Sequence, residues 1–144
     1  MKILIIGAGV VGSIYAARLH WAGEQVSLLA RGQRLAELRE NAVVLEDEGT
    51  GQRTTTPVPL IDHLDPDDEY DLVMVIMRKD QVPWVLPMVA ESRCTPNVLF
   101  VGNNVAGPEE YTRALGPERV LLGFAGSGGR REGNQVRFVG GMGG

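Results

Sequence analysis

Apolar residues fall into short runs whose character changes along the chain. Ile3-Leu4-Ile5-Ile6, Leu72-Val73-Met74-Val75-Ile76-Met77 and Val98-Leu99-Phe100-Val101 are continuous, the pattern of strands buried on both faces of a parallel sheet. Residues 25–30 and 119–122 read as two more strands. Between these runs the spacing lengthens to a helical one. An amphipathic segment from Val10 to Ala22 ends at Gly23, and Leu35 and Leu38 are spaced for a short helix over 31–40. Residues 80–90 predict a third helix, with Pro83 in its first turn and Pro87 expected to kink or shorten it. A fourth spans 108–115, with Pro108 near its start, Glu109 and Glu110 in the first turn and Gly116 as its stop. Residues 42–46 and 53–58 alternate like strands around the hairpin turn Asp47-Glu48-Gly49-Thr50-Gly51. Asp65-Pro66-Asp67-Asp68-Glu69 is expected to be a solvated acidic loop.

Strands alternating with helices predict an α/β domain of Rossmann type, a doubly wound and mainly parallel sheet. The texture changes after residue 122. Residues 123–144 are glycine-rich and hold one clear strand, 135–139, which predicts a C-terminal β-ribbon turning at 130–134. A length of 144 residues suits one domain, with 1–122 as its core and 123–144 as the ribbon.

Charge narrows the set of partners. The net charge is −4 and Lys and Arg form no cluster, so the chain offers no electrostatic footprint for nucleic acid or an anionic membrane. No apolar segment approaches a membrane span. The N-terminus enters a strand at once, which predicts an unprocessed, cytoplasmic protein. Cys94 stands alone and is expected as a small buried or half-buried side chain in a reducing compartment. His20 and His63 match no ligand spacing and read as structural, so no metal is expected.

The chemistry concentrates at Gly7-Ala8-Gly9-Val10-Val11-Gly12, set between the first strand and the first helix. In that setting G-x-G-x-x-G signals dinucleotide binding. Gly7 lets the chain turn off the strand, Gly9 admits backbone close to a pyrophosphate, and Gly12 lets the helix lie close on the sheet. The helix N-terminus offers N–H groups and a positive dipole end to the phosphates. The second strand ends in Leu28-Leu29-Ala30-Arg31-Gly32 without a carboxylate. An acid there would hold the ribose hydroxyls of NAD and repel a 2′-phosphate, whereas Arg31 can pair with one or stack on adenine. NADP(H) is therefore favoured, against the plainer alternative that Arg31 is one of several surface arginines with Arg34 and Arg39.

These motifs together resemble the ketopantoate reductases of the ApbA/PanE type. The resemblance rests on residues 7–19 and 28–32, on Asp71-Leu72-Val73-Met74-Val75 ahead of a basic residue and Gln81, and on Asn103-Asn104-Val105-Ala106-Gly107-Pro108-Glu109-Glu110. It covers this chain and only the N-terminal half of that family. It implies that Gly7 to Gly12 hold the NADPH pyrophosphate, that Arg31 meets the 2′-phosphate, that Asn103 orients nicotinamide and substrate, and that Glu110 lies near a cofactor ribose. Asn104 departs from the family's Asn-Gly. Arg78, with Lys79 beside it, stands where the family has a lysine, so either Arg78 takes that place or the turn presents Lys79, or both are solvent-facing charges.

The activity implied is hydride transfer from NADPH to the C2 ketone of a small 2-oxo acid such as ketopantoate, giving pantoate. The general-acid lysine of the family lies in a helical C-terminal domain with no counterpart here. The chain then reads as a fragment or a short relative that needs a missing domain or partner subunit. Two alternatives stay open: a non-catalytic NADP(H)-binding or redox-sensing module, and a dehydrogenase of another 2-oxo acid or an amine-forming relative.

Overall fold

The structure, a computed structural model, describes residues 1–102 and 104–139. Its main sheet contains β1 (Lys2–Ile6), β2 (Gln25–Leu29), β5 (Leu60–Ile61), β6 (Leu72–Ile76), β7 (Val98–Val101) and β8 (Val120–Gly123), in the order β5-β2-β1-β6-β7-β8. Every pairing in it is parallel. The continuous apolar runs are buried on both faces, as side-chain alternation requires. Ile3 and Ile5 of β1 enter one core cluster, Leu4 and Ile6 the other.

Four helices connect the strands: α1 (Val10–Trp21), α2 (Gly32–Asn41), α3 (Val82–Glu91) and α4 (Glu109–Leu115). The first is not simply amphipathic. A second sheet lies against it, so Ile14, Ala16 and Ala17 are fully buried together with Ser13, and small side chains let two sheets approach one helix. Pro87 does not shorten α3, which runs to Glu91. Pro83 and Pro87 lie four residues apart on the exposed side of that helix, where water can take the Pro83 carbonyl that loses its partner.

The second sheet contains β3 (Val43–Asp47), β4 (Arg53–Thr56), β9 (Gly129–Glu132) and β10 (Gln135–Phe138), in the order β4-β3-β10-β9. The expected hairpin and the expected ribbon are thus one structure, joined by the parallel pairing of β10 with β3. The turn between β9 and β10 is shorter than the sequence implies, because Arg130, Arg131 and Glu132 are strand residues paired with Arg137, Val136 and Gln135. Val136 is fully buried in the core on the α1 side.

Smaller differences follow from local geometry. Cys94 is exposed, contrary to expectation; it lies in the loop between α3 and β7, and its carbonyl accepts from Tyr70 N. Leu60 and Ile61 form a two-residue strand too short to announce itself, fixed by Leu28 N to Pro59 O at 2.8 Å and Ala30 N to Ile61 O at 3.0 Å. Asp67 of the acidic loop pairs with Arg93, and His63 is exposed beside Asp65.

Candidate cofactor cleft

In an open parallel sheet, ligands gather where strands on either side of one strand run to opposite neighbours. That point lies between β1 and β6, and a cleft of about 940 Å³ opens there over the carboxyl ends of β1, β2, β6 and β7. Gly7 stands at its floor with φ +115°, and a Cβ there would overlap the carbonyl oxygen of Ile76. The backbone of the turn therefore closes directly on the end of β6, which only glycine permits. Gly12 is constrained by the same turn, since its Cβ would overlap the carbonyl oxygen of Gly7. Gly9 differs: a Cβ there would meet nothing within 4 Å, and the residue is exposed and lines the cleft.

The first bond of α1 runs from Ser13 N to Gly9 O at 3.0 Å, which leaves Val10, Val11 and Gly12 without intrahelical acceptors. No side chain caps this end, and all three residues line the cleft with Ala8. An open helix terminus facing a glycine turn is a ready anion site.

Arginines occupy the end of the cleft at β2. Arg31 is exposed, precedes α2 and lines the cleft, and its side chain makes no hydrogen bond or ion pair with the described residues. Arg34, which the sequence offers only as a surface neighbour, is largely buried. Its Nε donates to Ala8 O at 2.8 Å and its Nη2 to Ser13 Oγ at 3.1 Å. Nη1 approaches Glu37 at 3.5 Å and has no hydrogen bond. Burial, and after it the charge of Arg131, hold the guanidinium below the usual arginine range. Arg131 reaches the cleft from β9.

The opposite rim carries Arg78 and Lys79, both exposed, with Gln81 at the start of α3 and Trp84 in its first turn. Arg78 is engaged: its Nε and Nη2 donate to the two carboxylate oxygens of Asp80 at 3.1 and 2.7 Å. That forked pair raises Arg78 and holds Asp80 below the usual carboxylate range. Trp84 is 78% exposed although its apolar character suggests a core position. Glu110 is exposed in the first turn of α4 and is not among the cleft's lining residues. Asn103 lies outside the described residues. Its neighbour Asn104 donates through Nδ2 to Phe100 O at 3.1 Å and Gly123 O at 3.2 Å, tying the ends of β7 and β8 together.

The lining suits a dinucleotide. Among the described residues it includes five cations, Arg31, Arg34, Arg78, Lys79 and Arg131, and no carboxylate. No group of side chains able to hold a metal ion occurs among the described residues. The fit is carried by Gly9, whose missing Cβ leaves space for a phosphate against open N–H groups.

Comparison with known proteins agrees with this architecture. A 2-dehydropantoate 2-reductase of Listeria monocytogenes serovar 1/2a is 23% identical over 132 residues, which cover 92% of this chain and 44% of that protein. The crystal structure of 2-dehydropantoate 2-reductase from Geobacter metallireducens GS-15 is similar with a TM-score of 0.80 at 24% identity, over 98% of this chain and 47% of that one. D-mandelate dehydrogenase, in its ternary structure with NADH and anilino(oxo)acetate, is similar with a TM-score of 0.83 at 24% identity, over 97% and 46%. The chain thus spans less than half the length of these relatives. The family model for ketopantoate reductase PanE/ApbA matches residues 3–144, and the chain belongs to that family.

Proposed function

We propose that this chain is the nucleotide-binding part of an NADP(H)-dependent reductase that acts on ketopantoate. Bound NADPH would supply a hydride to the C2 ketone, yielding pantoate. The observation that carries the reading is the pairing of an open phosphate turn, Gly7 to Gly12, with a β2 end that holds Arg31 and Arg34 and no acid.

In this reading the N–H groups of Val10, Val11 and Gly12 hold the pyrophosphate, and Arg31 takes the 2′-phosphate. Asn103, after β7, orients the nicotinamide end. Arg78 and Lys79 offer positive charge at the rim, and Glu110 enters through the family pattern alone. A guanidinium does not release its proton near neutral pH, so Arg78 attracts or orients an anion and does not act as the acid. The proton for the alkoxide then comes from a lysine of a helical second domain, which also closes over the substrate. A cytoplasmic location suits such chemistry; among the described residues no helix is long and apolar enough to cross a membrane.

Titration calorimetry with NADPH and NADH tests the reading. The expected result is tighter NADPH binding by at least tenfold, about 1.4 kcal/mol, and loss of most of that margin in Arg31→Ala. Equal affinities, or an unchanged margin in the variant, would remove the assignment of Arg31.

A second reading is favoured by the likeness to D-mandelate dehydrogenase crystallised with NADH and an anilino(oxo)acetate. The same nucleotide cleft would then serve a bulkier 2-oxo acid and NADH, and the calorimetric comparison separates the two.

A further inference from the structure

The cleft has a wall that the family resemblance does not assign. Strand β9 belongs to the second sheet, and successive residues along it point to opposite faces. Arg130 and Glu132 share one face, where ion pairs link Arg130 to Glu48 and Glu132, and Arg137 to Glu46 and Glu132. Arg131 lies on the other face, opposite the fully buried Val136. It lines the cleft, and its side chain makes no hydrogen bond or ion pair with the described residues.

The charges in the cleft do not balance without a ligand. Arg78 is matched by Asp80, and the open end of α1 suits a pyrophosphate. At the β2 end, Arg31 and Arg131 have no counter-ion among the described residues, and Arg34 has Glu37 alone, 3.5 Å from Nη1. Arg34 is already committed to Ala8 and Ser13 through two of its nitrogens. Arg131 lies near enough to Arg34 for its charge to disfavour the Arg34 cation, a repulsion that an anion between them would relieve. Planar guanidinium forks approaching a phosphate from two sides are the strongest arrangement available to such a group.

We propose that Arg131 binds the 2′-phosphate of the dinucleotide from the side opposite Arg31, and so makes the second sheet a determinant of cofactor choice. This rests on the NADP(H) reading above, and one experiment separates the two. Titration calorimetry of the 144-residue chain and of Arg131→Gln and Arg131→Lys, with NADPH and with NADH, gives the affinities; circular dichroism checks that each variant is folded. The Gln variant is expected to bind NADPH about tenfold more weakly, the size of a lost charge-assisted contact, with NADH affinity held within about twofold. The Lys variant should recover part of the loss, because it keeps the charge without the fork. A wild-type preference for NADPH that survives in Arg131→Gln overturns this inference and leaves the cofactor reading intact. Equal weakening of both nucleotides places Arg131 on the pyrophosphate and overturns the 2′-phosphate assignment. No wild-type preference at all overturns both.

Discussion

Arg34 in α2 donates from Nε to the carbonyl oxygen of Ala8, 2.8 Å away in the middle of the glycine turn. The same side chain reaches Ser13 Oγ at 3.1 Å. One side chain from the second helix therefore holds both the turn and the first turn of the helix that follows it. Replacing Arg34 by Ala leaves the nearly buried Ala8 carbonyl short of its main donor, at a cost of about 1–3 kcal/mol. Urea denaturation should show that loss, and Arg34→Lys should restore only part of it. Wild-type stability in Arg34→Ala would mean the turn holds its shape unaided.

The glycines of the turn separate folding from binding. In Gly12→Ala the new methyl meets a backbone carbonyl that cannot swing aside, so stability should fall by about 1–3 kcal/mol. Gly9→Ala adds a methyl in open space at an extended backbone position, and its opposing effects on capping and chain entropy keep the stability change under about 1 kcal/mol. Nucleotide affinity should nevertheless drop at least tenfold, about 1.4 kcal/mol, because the methyl occupies the phosphate position. Denaturation and calorimetry on the two variants check this. Full affinity in Gly9→Ala would place the phosphates elsewhere.

Alkaline pH probes the core beneath α4. Tyr111 stacks on Phe100 with ring centroids 3.9 Å apart and an interplanar angle of 5°. Burial, with Glu110 adding to it, pushes the Tyr111 hydroxyl above the ordinary tyrosine value, and burial does the same to Tyr70. Above about pH 10 the unfolded chain loses these protons while the folded one keeps them, so the folded state binds more protons and stability falls as pH rises. The contribution is whole below about pH 10 and is lost as pH climbs through the folded values. Tyr111→Phe keeps the stack and removes one titrating group, so its stability should decline less steeply above pH 10. Parallel slopes for variant and wild type would contradict the assignment.

Steady-state assay tests the proposed division of labour between this domain and a second one. The 144-residue chain is expected to bind NADPH and to reduce ketopantoate at no more than background rate. Arg78 is engaged with Asp80 and Lys79 is exposed, so neither is set up as a shielded proton donor. Robust pantoate formation that Lys79→Ala abolishes would move the catalytic lysine into this domain.

What the chain discloses follows the range of the interactions involved. Strands β1, β6 and β7 are legible because burial on both faces demands uninterrupted Ile, Val, Leu and Phe. The glycine turn is legible because Gly7 and Gly12 meet backbone that tolerates no Cβ. The second sheet is not, since nothing local in residues 43–47 names 135–138 as a partner. Arg34 and Arg131 were hidden for the same reason: among several arginines, only the tertiary fold selects those that face the turn. Trp84 defeats apolar patterning outright, being a large aromatic left at the rim of the cleft. Glu110 and Arg78 show the converse limit, because a family position does not reveal whether a side chain faces the cleft or is already engaged.

The insertion of β10 beside β3 has a consequence in time. Gln135 and Glu46, whose side chains bond across this seam at 3.2 Å, are 89 residues apart. During synthesis β3 and β4 emerge early as a hairpin, which alone is at best marginally stable, and they wait until residues 135–138 have been made before the seam can close. Such distant pairings form slowly because loop entropy is lost before contacts repay it. The main sheet can assemble on its own schedule, but the face of α1 that receives Val136 stays wet until β9 and β10 arrive. Arg131 arrives with them, so the wall that β9 adds to the cleft forms after the glycine turn and α1 that it faces.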